Sequence, residues 1–142
     1  MLNLKVPPHN LEAEESVLGA LMLEKDAIIR IADALRAHDF YKPTHAKIYE
    51  TILHLFEKHQ PIDILSVTNQ LTEDKALTEI GGSSYLTQLI NAVPTASHIE
   101  HYASIVRRKR LLRDLIEASS HIAQLGYKEA DDVAQLIDHA EQ

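Results

Sequence analysis

The chain is 142 residues long, enough for one domain with a real core, and its 45% hydrophobic and 25% charged residues are those of an ordinary globular protein. A formal net charge of −7 disfavours a chain whose main task is wrapping nucleic acid, because neutralising phosphates needs a basic surface. The absence of cysteine excludes a disulfide framework, a thiolate zinc site and a thiol nucleophile. No stretch approaches the ~20 apolar residues of a membrane span, and no N-terminal run has the length of a signal peptide, so the cytosol is the expected location.

Tryptophan is absent, glycine is scarce, and Leu, Ile and Ala supply most of the apolar mass, which predicts an all-α fold. Residues 1–9 end in Pro7-Pro8-His9 and read as an extended lead-in. Asn10 is a good N-cap for a first helix that carries Leu11, Leu18, Leu21 and Met22 inward, with Glu12, Glu14 and Glu15 favourably placed on its positive end. Gly19 inside that helix implies close helix packing. Asp26 is expected to cap a second helix through Ile28, Ile31 and Leu35. Phe40 and Tyr41 read as adjacent aromatic plugs in the loop that reaches Pro43. A third helix carries Ile48, Ile52 and Leu55 and ends near Lys58, and Asp63 caps a fourth bearing Ile64, Val67 and Leu71. A short helix around Leu77 comes next, then a turn at Gly81-Gly82, and Ser83 is expected to cap a fifth principal helix through Val93.

Pro94 separates this helical head, residues 10–93, from an antiparallel helical hairpin over residues 95–142 that is expected to project from it. Its long helix spans about residues 95–125, with Gly126 as the stop, and is roughly 40 Å or more long. Asp131 or Asp132 starts the second helix, to about residue 141. Leu111, Leu115, Ala118, Ile122 and Leu125, spaced four, three, four and three apart, form a seam for another helix, and Leu112, Ile116 and Ala123 form a second row. The last helix opposes them with Val133, Leu136, Ile137 and alanines. One row suffices to pack that short helix. The excess face predicts an oligomer or partner surface, the rival being a head folded back over it.

The motifs of catalysis are missing. No G-x-x-x-x-G-K-[ST] phosphate loop, H-E-x-x-H or G-x-S-x-G occurs, so this chain on its own is not expected to hydrolyse a nucleotide. His98 and His101, three apart, have metal-ligand spacing but read better as solvated surface histidines. His38-Asp39 has the look of the metal-binding doublet of HD-type phosphohydrolases, without the further ligands such a site needs. The run Arg107, Arg108, Lys109 and Arg110, with Arg113, is the densest charge. Arg107, Arg108 and Arg110 could meet phosphate or an acidic partner, and as a bland alternative they form a solvated belt paired with Glu100, Asp114 and Glu117. A stand-alone helical DNA-binding protein using residues 107–110 is the alternative function.

Several segments resemble one family in the same order. Val6-Pro7-Pro8-His9-Asn10-Leu11-Glu12-Ala13-Glu14-Glu15-Ser16-Val17-Leu18-Gly19 is similar to the start of the DnaB-family replicative DNA helicases. Asp39-Phe40-Tyr41, Pro61-Ile62-Asp63, Gly81-Gly82 with Tyr85-Leu86, and Pro94-Thr95-Ala96 with Tyr102, Ala103, Ile105 and Val106 continue the likeness over nearly the whole chain. The resemblance implies a non-catalytic N-terminal domain, with no cofactor or metal of its own. In the family it is joined by a linker to a RecA-like ATPase, which brings ATP and Mg²⁺ to the full-length protein and most of the DNA contact, and which this sequence does not include. It further implies that hairpins pair between subunits into a hexameric collar, a trimer of dimers, that binds the C-terminal helicase-binding domain of primase. The helicase loader is a further expected partner. Under this reading Leu111, Leu112, Leu115, Ile116, Ile122, Leu125, Val133, Leu136 and Ile137 form the oligomer interface, and Tyr85, Ile116 and Ile122 meet primase.

Overall fold

The computed structural model describes residues 5–128 and 133–142, and every regular element among them is helical. The helices are α1 (Leu11–Leu23), α2 (Ala27–Ile31), α3 (Pro43–Glu57), α4 (Ile64–Glu73), α5 (Gly82–Ala92), α6 (Ile99–Tyr127) and α7 (Val133–Glu141). Single 3-10 turns at Ala37–Asp39 and Ala96–His98 precede α3 and α6. The chain divides into two compact units, residues 9–110 and residues 1–8 with 111–142. The first therefore takes in the opening turns of α6, where Ile99, Ala103 and Val106 are buried in the core.

In the larger unit α1 is the central element. Nine of the ten residues from Ala13 to Met22, Glu14 among them, are buried, so it is surrounded rather than amphipathic. Asn10 caps it as expected, its side chain accepting from the Ala13 N–H at 2.9 Å. At Gly19 the backbone of α5 comes so close that a Cβ would overlap the Leu89 carbonyl oxygen and Val93 Cγ2. Asp63 caps α4 by accepting from the Ser66 N–H at 2.8 Å. Buried Tyr49 donates its hydroxyl to the Leu35 carbonyl at 2.8 Å. Burial, reinforced by the Asp39 carboxylate, pushes the Tyr49 phenol well above its ordinary value.

Several local expectations need correcting. The second helix stops at Ile31 without a side-chain bond from Asp26, although Ile28, Ile31 and Leu35 are all buried. No helix forms around Leu77: Lys75 turns left-handed at φ 58° after α4, and the Ala76 N–H closes back onto the Leu71 carbonyl at 2.9 Å. A single helical turn follows, with the Ile80 N–H on the Ala76 carbonyl at 3.1 Å, and it is closed at once by the Gly82 N–H on the Leu77 carbonyl with Gly81 at φ 110°, so the expected short helix is reduced to one turn. Gly81, not Ser83, occupies the N-cap of α5. Only Phe40 of the aromatic pair plugs the core; Tyr41 faces outward and stacks on His9 with ring centroids 4.1 Å apart. The long helix begins at Ile99, because Thr95 caps the 3-10 turn before it, and it runs through Gly126 to Tyr127. The expected start of the last helix at Asp131 or Asp132 lies outside the described residues.

In the smaller unit α7 runs back beside α6: the His121 and His139 rings lie 5.5 Å apart although eighteen positions separate them across the connection. Arg113 donates to the Pro8 carbonyl at 2.7 Å, joining the lead-in to α6.

Candidate interaction surfaces

The apolar rows of α6 behave differently from the expectation that one of them is covered by the last helix. At about 100° per residue, Leu111, Ile122, Leu115, Leu112 and Ile116 spread over an arc of roughly 140°, and Leu125 lies just beyond its edge. Leu125 is buried, while all five residues of the arc are exposed. The nine residues of α7 divide in the same way. Leu136 and Ala140, four apart, are partly buried, whereas Val133 and Ile137 on the next row are exposed like the arc of α6. Apart from Leu125, the large residues of both rows, with Val133 and Ile137, stay open in the single chain.

The basic run is largely engaged within the larger unit, which corrects the solvated-belt alternative. Arg107 pairs at 2.9 Å with Asp39, a carboxylate with no exposed surface, whose other oxygen accepts from the Arg36 N–H at 2.8 Å. Arg110 donates to the His38 carbonyl. Glu100, expected to pair with the belt, instead reaches Arg30 at 4.0 Å. Arg108 is exposed. Two of the three arginines offered for phosphate or an acidic partner thus hold the 3-10 turn at Ala37–Asp39 against α6, and the Asp39 carboxylate is engaged by Arg107 and the Arg36 N–H. His98 and His101 are exposed beside Tyr102, and no cluster of three or more metal-ligating side chains occurs among the described residues.

Tyr85 is half-buried, with its hydroxyl 2.5 Å from His45 Nε2 and 3.4 Å from Lys42 Nζ. Partial burial raises its phenol above the ordinary value, opposed by Lys42. His45 and Glu14, which hold it from inside, were not singled out in the sequence. The signal was present: Glu14, Leu18 and Leu21, and His45, Ile48 and Ile52, each follow the three-and-four spacing of a buried stripe, so a polar member of either row points inward. A groove of about 620 Å³ opens between α2 and the α3–α4 connection, lined by Leu23, Ile29, Phe56, His59, Pro61 and Ile62 among others. No described helix is long and apolar enough to cross a membrane.

Comparison with known proteins identifies the family. Residues 6–108 match the family described as DnaB-like helicase N terminal domain. The chain is 45% identical over 141 residues to the replicative DNA helicase DnaC of Bacillus subtilis, covering 99% of this chain and 31% of that protein. It spans, then, about a third of the length of such relatives. The crystal structure of the N-terminal domain of DnaB helicase from Mycobacterium tuberculosis superposes with a TM-score of 0.89 at 43% identity, covering 96% of both chains. A DnaB-like replicative helicase whose structure was described with its interactions with primase shares the fold at a TM-score of 0.73 and 24% identity, covering 94% of this chain and 35% of that one.

Proposed function

Since this chain belongs to the DnaB-like helicase N-terminal domain family, we propose that it is the assembly and docking part of a hexameric replicative helicase. In this reading the apolar faces of residues 111–142 pair between subunits into an N-terminal collar. The paired hairpins, through Ile116 and Ile122, and the head, through Tyr85, each receive part of the helicase-binding domain of primase, and the helicase loader is a further partner. The head of residues 9–110 and the hairpin act as two functional parts. The motor chemistry, with ATP and Mg²⁺, and most contact with DNA belong to a RecA-like domain beyond this sequence. Recruitment couples primer synthesis to unwinding because both enzymes ride on one ring.

The observation that carries the proposal is the open apolar arc. Five large aliphatic side chains share one face of α6 and stay exposed, as do Val133 and Ile137 on α7, and exposed apolar residues grouped on one face are of the kind that marks a binding site. The primase-associated neighbour supports the choice of partner. The DNA-binding alternative is weakened by the net charge of −7 and by the internal engagement of Arg107 and Arg110.

Titration calorimetry of the chain with the C-terminal helicase-binding domain of a bacterial primase tests the reading. Ile116→Glu and Ile122→Glu are each expected to weaken binding about tenfold or more with helical content unchanged. Wild-type binding that neither substitution alters would remove these residues from the primase surface.

A further inference from the structure

Glu14 is the hub of a buried polar array distinct from the open apolar arc. Its carboxylate, 1% exposed, accepts the Tyr41 N–H at 2.7 Å, the Lys42 N–H at 3.3 Å and His45 Nδ1 at 2.8 Å. The last two of these donors lead to one place. His45, itself fully buried, sets Nε2 at 2.5 Å from the Tyr85 hydroxyl. Lys42 brings Nζ to 3.4 Å from the same oxygen and 4.9 Å from the Tyr85 ring centroid. One carboxylate therefore holds the His45 ring directly and the backbone from which the Lys42 side chain reaches the Tyr85 hydroxyl, and it does so from α1, across the start of α3, to α5.

Hydrogen-bond chemistry gives this array a direction. In the neutral ring, a His45 that gives its Nδ1–H to the carboxylate keeps only a lone pair at Nε2. Tyr85 must then donate its O–H inward. The Lys42 ammonium can only donate, so it takes one lone pair of the phenol oxygen. What remains on the oxygen of this half-exposed residue is an acceptor, and the hydroxyl cannot leave its place without breaking two bonds.

We propose that His45, backed by Glu14, is a positioning residue that fixes the Tyr85 ring and presents its oxygen as an acceptor to an N–H donor of the docked partner. This rests on the reading of Tyr85 as part of the primase surface, and adds two buried residues and a polarity to it. Holding the ring in advance removes the rotamer entropy that binding would otherwise have to overcome.

Three variants of the folded chain separate the roles. His45→Asn puts an amide donor near the Nδ1 position, keeping Glu14 satisfied while releasing Tyr85. His45→Gln reaches the Nε2 position and keeps an acceptor for Tyr85. Tyr85→Phe removes the hydroxyl alone. Nitrogen-15 shifts of His45 should show a proton on Nδ1 and none on Nε2, and carbon-13 relaxation should show the Tyr85 ring ordered in the wild type and mobile in His45→Asn. His45→Asn and Tyr85→Phe should each weaken primase-domain binding by about tenfold, with the double variant no weaker than either, and His45→Gln should bind nearly as the wild type. A proton on Nε2, an unchanged Tyr85 ring in His45→Asn, or losses that multiply in the double variant would overturn the proposal. If His45→Asn fails to fold, the nitrogen-15 shifts and the binding of His45→Gln and Tyr85→Phe decide it. Loss of binding in Ile116→Glu alone, with His45→Asn and Tyr85→Phe binding normally, leaves the docking reading standing and removes this one. If the wild type does not bind primase, the docking reading falls, and with it the partner contact proposed for the Tyr85 oxygen.

Discussion

Between His9 and Arg110, large aliphatic residues such as Leu18, Ile52, Leu71 and Leu89 are no more than 1% exposed, whereas from Leu111 onward seven of the same kind stand 38% to 63% exposed. The two units draw on one alphabet and one helical spacing, so the difference lies in opposing surface. In the larger unit α1 is enclosed by neighbours on every side. In the smaller one, the α6 arc stays exposed although the nine residues of α7 lie in the same unit. Covering the five half-exposed residues of the α6 arc with a second copy would stabilise by roughly 1 kcal/mol each, or roughly 10 kcal/mol for a symmetric pair. Losing the freedom of two molecules costs about 4–15 kcal/mol. An isolated pair is thus close to balance, and a ring that links many such contacts is a natural way to make the pairing secure.

The sharpest contrast between the units is a pair of truncations. Leu18→Ala opens a cavity beside the central helix and should lower unfolding stability by about 2–5 kcal/mol in urea titration. Leu115→Ala should change the stability of the monomer by no more than about 0.5 kcal/mol, because its site is already wet. A smaller loss separates an internal clasp from a solvated charge: Arg107→Ala leaves buried Asp39 without this cation and should cost about 1–3 kcal/mol, while Arg108→Ala should be nearly silent.

A pH effect is expected in the larger unit. The folded-state value of Tyr49 lies above its unfolded value of 10.0, so its contribution is complete below pH 10 and falls as pH rises beyond it, when only the unfolded chain can ionise. Stability should decline by up to about 1.4 kcal/mol per pH unit in that range from this group. Tyr49→Phe should flatten the decline, as followed by thermal melts between pH 9 and 11, an interval set about the ordinary phenol value.

The fold class and most helices could be read from the chain because local rules decide them: Asn10 and Asp63 cap as their chemistry dictates, and Gly19 marks a close crossing. What escaped was set by distant partners. Nothing near Arg107 reveals that its counter-ion is Asp39, 68 positions earlier. The turn at Lys75 was missed because a non-glycine residue adopts the left-handed conformation there. Of the candidate surface, the apolar arc was legible in its spacing, but its openness was not, since burial depends on how much opposing helix exists. Glu14 and His45 were legible in principle as polar members of apolar stripes.

The most direct measurement is sedimentation equilibrium of the chain across a concentration series into the high micromolar range, with Ile116→Asp alongside. Pairing through the open arc predicts that the wild type associates reversibly and that Ile116→Asp stays monomeric with unchanged helical content. A wild type that remains strictly monomeric throughout, or an Ile116→Asp variant that associates equally well, would contradict it.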